Sequence, residues 1–199
     1  LPPKALITLS HALAEELTSC FNDSDLSFDH IETFATPRRL ALLVTALDVS
    51  APDKNLVSWG PPTKVAFGEN KSPTKAGEAF AKKHNIATSE LLNNIEHDGH
   101  QEKLCYRSTQ KGELTRDLLG NMLNESLRKL PIPKRMRWGN SKEEFVRPVQ
   151  WAVLLFNNEV CSENILGLCA SNISQGHRFH GSGDIVIESP LSYEPQMRD

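Results

Sequence analysis

Leu6, Leu9, Leu13, Leu17 and Cys20 recur at three- and four-residue steps between Lys4 and Phe21, the spacing of one apolar stripe along an α-helix. Asn22-Asp23-Ser24-Asp25 ends that helix. His30–Phe34 and Leu40–Leu47 are β-branched and aromatic runs on either side of Ala35-Thr36-Pro37-Arg38-Arg39, which predicts a strand pair joined by a basic turn. Residues 58 to 73 carry Gly60, Pro61, Pro62, Gly68 and Pro73 and read as irregular, with Ser72-Pro73 as N-cap and first position of a helix reaching Lys83. A short helix capped by Thr88 or Ser89 runs to Asn94, and His97-Asp98-Gly99-His100 turns the chain into a strand over Lys103–Thr109. Thr115 is the expected cap of a further helix, whose apolar positions Leu118, Leu119, Met122, Leu123, Leu127 and Leu130 cover one broad face.

Beyond that helix, Val149–Phe156 is a nearly continuous apolar run, read as a strand buried on both faces and followed by an Asn157-Asn158 hairpin turn. Ile165–Ala170 and Ile185–Glu188 read as further strands. Helices and strands alternate irregularly, so the expected class is α+β, a mixed or mainly antiparallel sheet packed with several helices. Residues 1–199 are taken as one region in which 1–55 could form a sub-lobe. The chain starts Leu1-Pro2-Pro3-Lys4 without Met and stops at Met197-Arg198-Asp199, which suggests a stretch of a longer protein.

A content of 39% hydrophobic residues and a pI near 6.2 exclude a disordered chain and one that coats nucleic acid by bulk charge. The positive charge is local instead. Residues 131–151 set Lys134, Arg135, Arg137, Lys142 and Arg147 against Glu143 and Glu144, a +3 stretch in a chain of net −3. Within it, Pro131-Ile132-Pro133 stops the helix and delivers three cations around Trp138 on a stiffened loop. Arg38 and Arg39 can grip phosphate or carboxylate in a bidentate manner, or simply pair with local acids. Phe145, Val149 and Trp151 read as core, with Arg147 the residue there that has a role beyond packing.

Gly176-His177-Arg178-Phe179-His180-Gly181 offers two imidazoles three apart, too few ligands for a metal site without supporting Cys or acids; RNA contact or a structural cluster fits better. Cys20, Cys105, Cys161 and Cys169 have no C-x-x-C spacing and read as small hydrophobes of a cytosolic chain. His97-Asp98 is read as a turn rather than as the centre of an HD phosphohydrolase site. No G-x-S-x-G elbow, P-loop or recognisable Cys–His pair occurs, so no complete active site is expected.

Taken in order, Ala35–Leu40, Leu130–Gly139, Phe145-Val146-Arg147-Pro148 with Trp151, and Gly176–Phe179 resemble the beta subunit of bacterial glycyl-tRNA synthetase. The resemblance extends over nearly the whole chain, from Leu1 onward. Two positions depart from the family's usual pattern, Gln150 where His is common and Gln175 where Arg is frequent, and both remove a possible cation. The resemblance implies the N-terminal part of a ligase subunit that works with glycine, ATP and tRNA as two alpha and two beta subunits in the cytoplasm. It places the class II catalytic core, with ATP and magnesium, on the alpha subunit, and leaves this stretch without catalytic, cofactor-binding or metal residues and inactive alone. HD-like and anticodon-binding domains are expected downstream. The partners implied are the alpha subunit and the tRNA for glycine, with neither membrane nor DNA.

A relationship to the editing-type domain of the phenylalanyl-tRNA synthetase beta subunit is also implied. Proofreading is not expected from it, because a pocket sized for glycine already excludes larger amino acids by clash. The candidate contact residues are Arg38, Arg39, Lys134, Arg135, Arg137, Trp138, Arg147, His177 and Arg178. They hold tRNA backbone in one reading and dock an acidic face of the alpha subunit in another, with Trp138 and Met136 as anchors. An independent RNA-binding or tRNA-maturation module is the alternative to both.

Overall fold

The computed structural model describes residues 3–68, 70–140, 142–176 and 183–198. They fall into two compact units, residues 1–52 with 113–199 and residues 53–112. The boundary after Pro52 lies close to residue 55, and residues 1–52 fall in one unit with residues 113–199. The first half contains α1 (Pro3–Asp23), β1 (His30–Thr36), β2 (Arg39–Thr45), β3 (Lys54–Pro62), α2 (Thr63–Ala66), α3 (Lys75–His84), a 3₁₀ turn (Thr88–Asn94), β4 (Ile95–His97) and β5 (Glu102–Gln110). Then follow α4 (Thr115–Lys129), β6 (Met136–Arg137), β7 (Glu144–Phe145), β8 (Leu155–Phe156), β9 (Glu159–Val160), β10 (Asn164–Ile165), β11 (Leu168–Cys169), β12 (Ile173–Gln175), β13 (Asp184–Val186) and α5 (Tyr193–Arg198). The class is α+β as expected. Among the described residues the paired strands are antiparallel, in small separate sheets rather than in one, with a single isolated parallel bridge between Val153 and Ser171.

In the first unit the α1 stripe meets the apolar face of α4. Leu9 and Leu13 share a core with Leu127 and Leu130, while Leu17, Cys20 and Phe21 share another with Leu119 and Met122. The β1–β2 ladder, in register from His30↔Thr45 to Thr36↔Arg39, adds Leu40 and Leu42 to the first core and Ile31, Leu42 and Val44 to the second. α1 ends in a Schellman turn. Asp25 is left-handed (φ 56°), the Leu26 amide donates to the Phe21 carbonyl at 2.9 Å, and the buried Leu26 packs beside Phe21.

In the second unit the strand order is β3-β5-β4, with Leu104, Phe80, Ala81, Leu91 and Ala66 as the core. Gly77 of α3 lies so close to α2 that a Cβ there would meet the Ala66 carbonyl oxygen at 2.5 Å. Among the described residues, no helix is long and apolar enough to cross a membrane.

Several local expectations are corrected. Residues 58–62 are ordered as the end of β3, with the register shift between Trp59 and Pro62 absorbing the prolines on an edge strand. The cap of α3 is Thr74, whose hydroxyl accepts from the Gly77 amide at 3.4 Å, and Pro73 instead bridges to Phe67. Thr115 lies inside α4, where its buried hydroxyl donates to the Asp48 carbonyl at 2.5 Å. Val149–Phe156 forms a ladder only at Leu155–Phe156. The rest of that run bonds piecemeal, Leu154 N–H to Ser171 and Ser171 N–H to Ala152, and its apolar side chains are half-buried. Asn157, with φ 53°, makes the expected turn.

Candidate functional site

The paired arginines of the β1–β2 turn divide into two environments. Arg38 is exposed, and its backbone N–H reaches the Thr36 hydroxyl at 3.4 Å. Arg39 turns inward: its guanidinium donates to the Gln175 carbonyl and lies 5.9 Å from the Trp151 ring centroid, while its Nε is buried without a hydrogen-bond partner among the described residues. Phe34, from the same hairpin, meets Tyr193 edge-on at 5.5 Å. Burial raises the Tyr193 hydroxyl above its ordinary pKa, opposed by the nearby Arg39 charge. Arg39 therefore ties the hairpin tip to β12 and the 151 segment, and Trp151 serves it as a cation–π partner as well as packing.

The Pro131–Gly139 loop divides similarly. Arg135 folds back onto the end of α4, its Nη2 donating to the carbonyls of Arg128 at 2.6 Å, Leu130 at 3.1 Å and Leu127 at 3.4 Å, and its Nη1 reaching Glu144 at 3.5 Å. Those carbonyls are orphaned by the helix end. With Pro131 and Pro133 beyond Leu130, a guanidinium five residues on serves as the cap. Arg137 is 60% exposed and sits across β6–β7 from Glu144, 3.9 Å away, a loose surface pair. Lys134, Lys142 and Arg147 are exposed, with no ion pair or hydrogen bond of their side chains among the described residues. Trp138 is half-buried and Met136 is 39% exposed. His177 and Arg178 lie outside the described residues, as does His180.

Nothing in these two groups resembles a reaction centre. Among the described residues, no three His, Cys, Asp or Glu side chains are grouped to hold a metal. Asp98 accepts from the amides of His100 and Gln101, each at 2.9 Å, and pairs with Lys103, contacts that hold its carboxyl far below the usual range. The His97-Asp98 pair is therefore a satisfied turn, with the Gly99 amide donating to His97 Nδ1 at 3.0 Å. A Ser58–His84 contact of 3.0 Å occurs in the second unit, where the imidazole is packed between Phe80 and Tyr106. Cys20, Cys105 and Cys161 are buried free thiols, and Cys169 is exposed.

What the arrangement offers is a set of cations on short, well-anchored turns. A family model described as glycyl-tRNA synthetase beta subunit matches residues 1–199. The chain belongs to that family. It is 41% identical, over 198 residues and all of its length, to a glycine–tRNA ligase beta subunit of Pseudomonas savastanoi pv. phaseolicola. Similar proteins of the same description from Marinobacter nauticus and Pseudomonas fluorescens Pf-5 are 40% and 42% identical over the same span. The chain spans 28% of the length of each of these relatives. As a member of the glycyl-tRNA synthetase beta-subunit family, it presents the family-like Ala35–Leu40 and Leu130–Gly139 segments as two anchored turns. In each, one arginine holds the fold and its neighbours face outward.

Proposed function

We propose that this chain serves ATP-dependent glycyl-tRNA formation as a non-catalytic part of a glycine–tRNA ligase beta subunit, holding the phosphate backbone of tRNA. The supporting observation is a set of outward cations, Arg38, Lys134, Arg137 and Arg147, on turns fixed by other residues. Exposed lysine and arginine at fixed positions suit sequence-independent phosphate contacts, which position an RNA without reading its bases. His177 and Arg178, outside the described residues, are the remaining candidate contacts. ATP, with magnesium, acts at the alpha subunit of a cytoplasmic assembly of two alpha and two beta subunits.

A second reading is favoured by the exposed Met136 beside Trp138: the loop docks on the alpha subunit, with these two as apolar anchors. One experiment separates the two. In the assembled enzyme, the double variant Lys134→Glu/Arg147→Glu is expected to weaken tRNA binding at least tenfold and to lower the salt slope of log K by about 1.5, at roughly 0.7 to 0.9 per phosphate contact. Loss of alpha subunit from the purified complex with tRNA affinity intact would establish docking instead. Unchanged tRNA affinity with an intact complex would reject both.

A further inference from the structure

Much of the positive charge of the second unit is concentrated in one stretch. Residues 63–84 carry Lys64, Lys71, Lys75, Lys82 and Lys83 against Glu69 and Glu78, a local +3 within 22 residues of a chain whose net charge is −3. All five lysines are exposed, and among the described residues none makes an ion pair or a side-chain hydrogen bond. The sheet behaves differently. Arg107 is bound in bidentate fashion by Glu96 at 2.8 and 2.6 Å, and Lys103 is paired with Asp98. These two cations of the sheet are neutralised where they stand, whereas the five lysines of residues 63–84 have no such partner among the described residues.

The helical side is also built to keep its lysines in place. α3 buries Gly77, Phe80 and Ala81, so Lys75, Ala79 and Lys82, at i, i+4 and i+7, share the opposite, outward face. Lys75 and Lys82 are then about 10 Å apart along the axis, with the small Ala79 and the exposed Glu78 between them. Asn85 closes the helix in the left-handed region (φ 53°), and the Ile86 amide donates to the Ala81 carbonyl at 2.9 Å. α2 is held against α3 by the Gly77–Ala66 approach, which keeps Lys64 in the same rigid layer. Lys82 and Lys83 complement the helix dipole as well, but that does not account for Lys64, Lys71 and Lys75.

We infer that the α2–α3 layer of the second unit is a separate RNA-backbone contact surface, in which Lys64, Lys71, Lys75, Lys82 and Lys83 meet successive phosphates. An acidic protein face is the other polyanion such a layer could meet. Protein interfaces are dominated by buried aromatic and arginine anchors, and this layer exposes neither: its exposed cations are all lysine, and Val65 is its one exposed large hydrophobic among the described residues. Lysine, a point charge on a flexible stem, suits phosphate contact without fixed bidentate geometry. The identity of the RNA as tRNA rests on the function proposed above; the surface itself rests on the charge layout of the second unit.

The test uses the assembled enzyme with full-length beta subunit, comparing wild type with the triple variant Lys75→Ala/Lys82→Ala/Lys83→Ala by titration of labelled transcripts across salt concentrations. The probes are glycine tRNA and a non-cognate tRNA. The triple variant is expected to lower the salt slope by about 2, for three contacts at roughly 0.7 to 0.9 each, and to weaken both tRNAs by the same factor, while Lys75→Arg/Lys82→Arg/Lys83→Arg retains the wild-type slope. An unchanged slope, with or without loss of the alpha subunit, overturns the inference, and loss of the alpha subunit would mark a protein-docking face. If Lys134→Glu/Arg147→Glu still weakens tRNA binding while the triple variant does not, only this inference fails. If the wild-type enzyme binds neither tRNA, the function proposed above fails with it.

Discussion

Replacing Arg135 with glutamate is expected to destabilise the chain by about 2–4 kcal/mol, a loss of fold rather than a loss of RNA contact. The guanidinium donates to three carbonyls at the C-terminal end of α4, and hydrogen bonds to a charged group contribute about 1.5–3 kcal/mol. A carboxylate in its place accepts none of those bonds, and its negative charge at the helix C-terminus adds about 0.3–1 kcal/mol of repulsion. Urea unfolding followed by circular dichroism measures the change. Arg137→Glu, altering a 60% exposed side chain in a loose pair, should stay within about 0.5 kcal/mol. Equal stability of the two variants would show that the α4 carbonyls do not depend on Arg135. The comparison matters for any mutational test of this loop, because a charge reversal at Arg135 reads as weakened binding when part of the protein has lost its helix end.

Much of the fold was legible because it is written in local periodicity. The α1 and α4 stripes, the β1–β2 pair and the turn at Asn157 follow from residue spacing and turn chemistry alone, whereas the packing of the α1 stripe on α4, about a hundred positions away, does not. The prolines at 61 and 62 misled because their meaning depends on whether a strand is central or at an edge, and only the order β3-β5-β4 reveals that. The apolar run at 149–156 looked like a buried strand because hydrophobicity records burial, not the presence of a partner with a matching ladder. Apart from the local return to Cys161 across the turn, its hydrogen bonds go to Ser171, seventeen or more positions further on.

The candidate contact residues were legible as charges and not as roles. Arg38 and Arg39 are adjacent and chemically identical, yet one faces outward and the other is held by Gln175 and Trp151. Residue type cannot separate them, since the acceptors lie more than a hundred positions away. The lysines of the α2–α3 layer carried a readable signal, five against two acids in residues 63–84. It was outweighed by the prolines and glycines that made the first part of that stretch look irregular.

Substituting Phe21 with alanine is expected to cost about 3–5 kcal/mol, the range for deleting a buried phenylalanine side chain. Phe21 is 0% exposed. It shares its core with Leu17, Leu26, Leu119 and Met122, meets the Phe28 ring at 5.5 Å, and its carbonyl receives the Leu26 amide that closes α1. The site is enclosed by α1, by α4 and by the side chains of β1 and β2, so collapse into the cavity would require several elements to move together. Tryptophan fluorescence can localise the effect: in a Trp59→Phe background the remaining Trp138 and Trp151 both report on the first unit. With a urea m-value of about 2 kcal/mol/M, the midpoint should fall by roughly 2 M, and Phe21→Leu, which refills part of the space, should recover part of that loss. A fall of less than about 0.5 M would mean that the core relaxes around the gap. The consequence reaches the proposed RNA surface, because the same core seats Ile31 and Val44 of the hairpin whose tip presents Arg38. A variant with a loosened core should therefore lose tRNA affinity without losing a cation, and conditions that restore its stability should restore its binding.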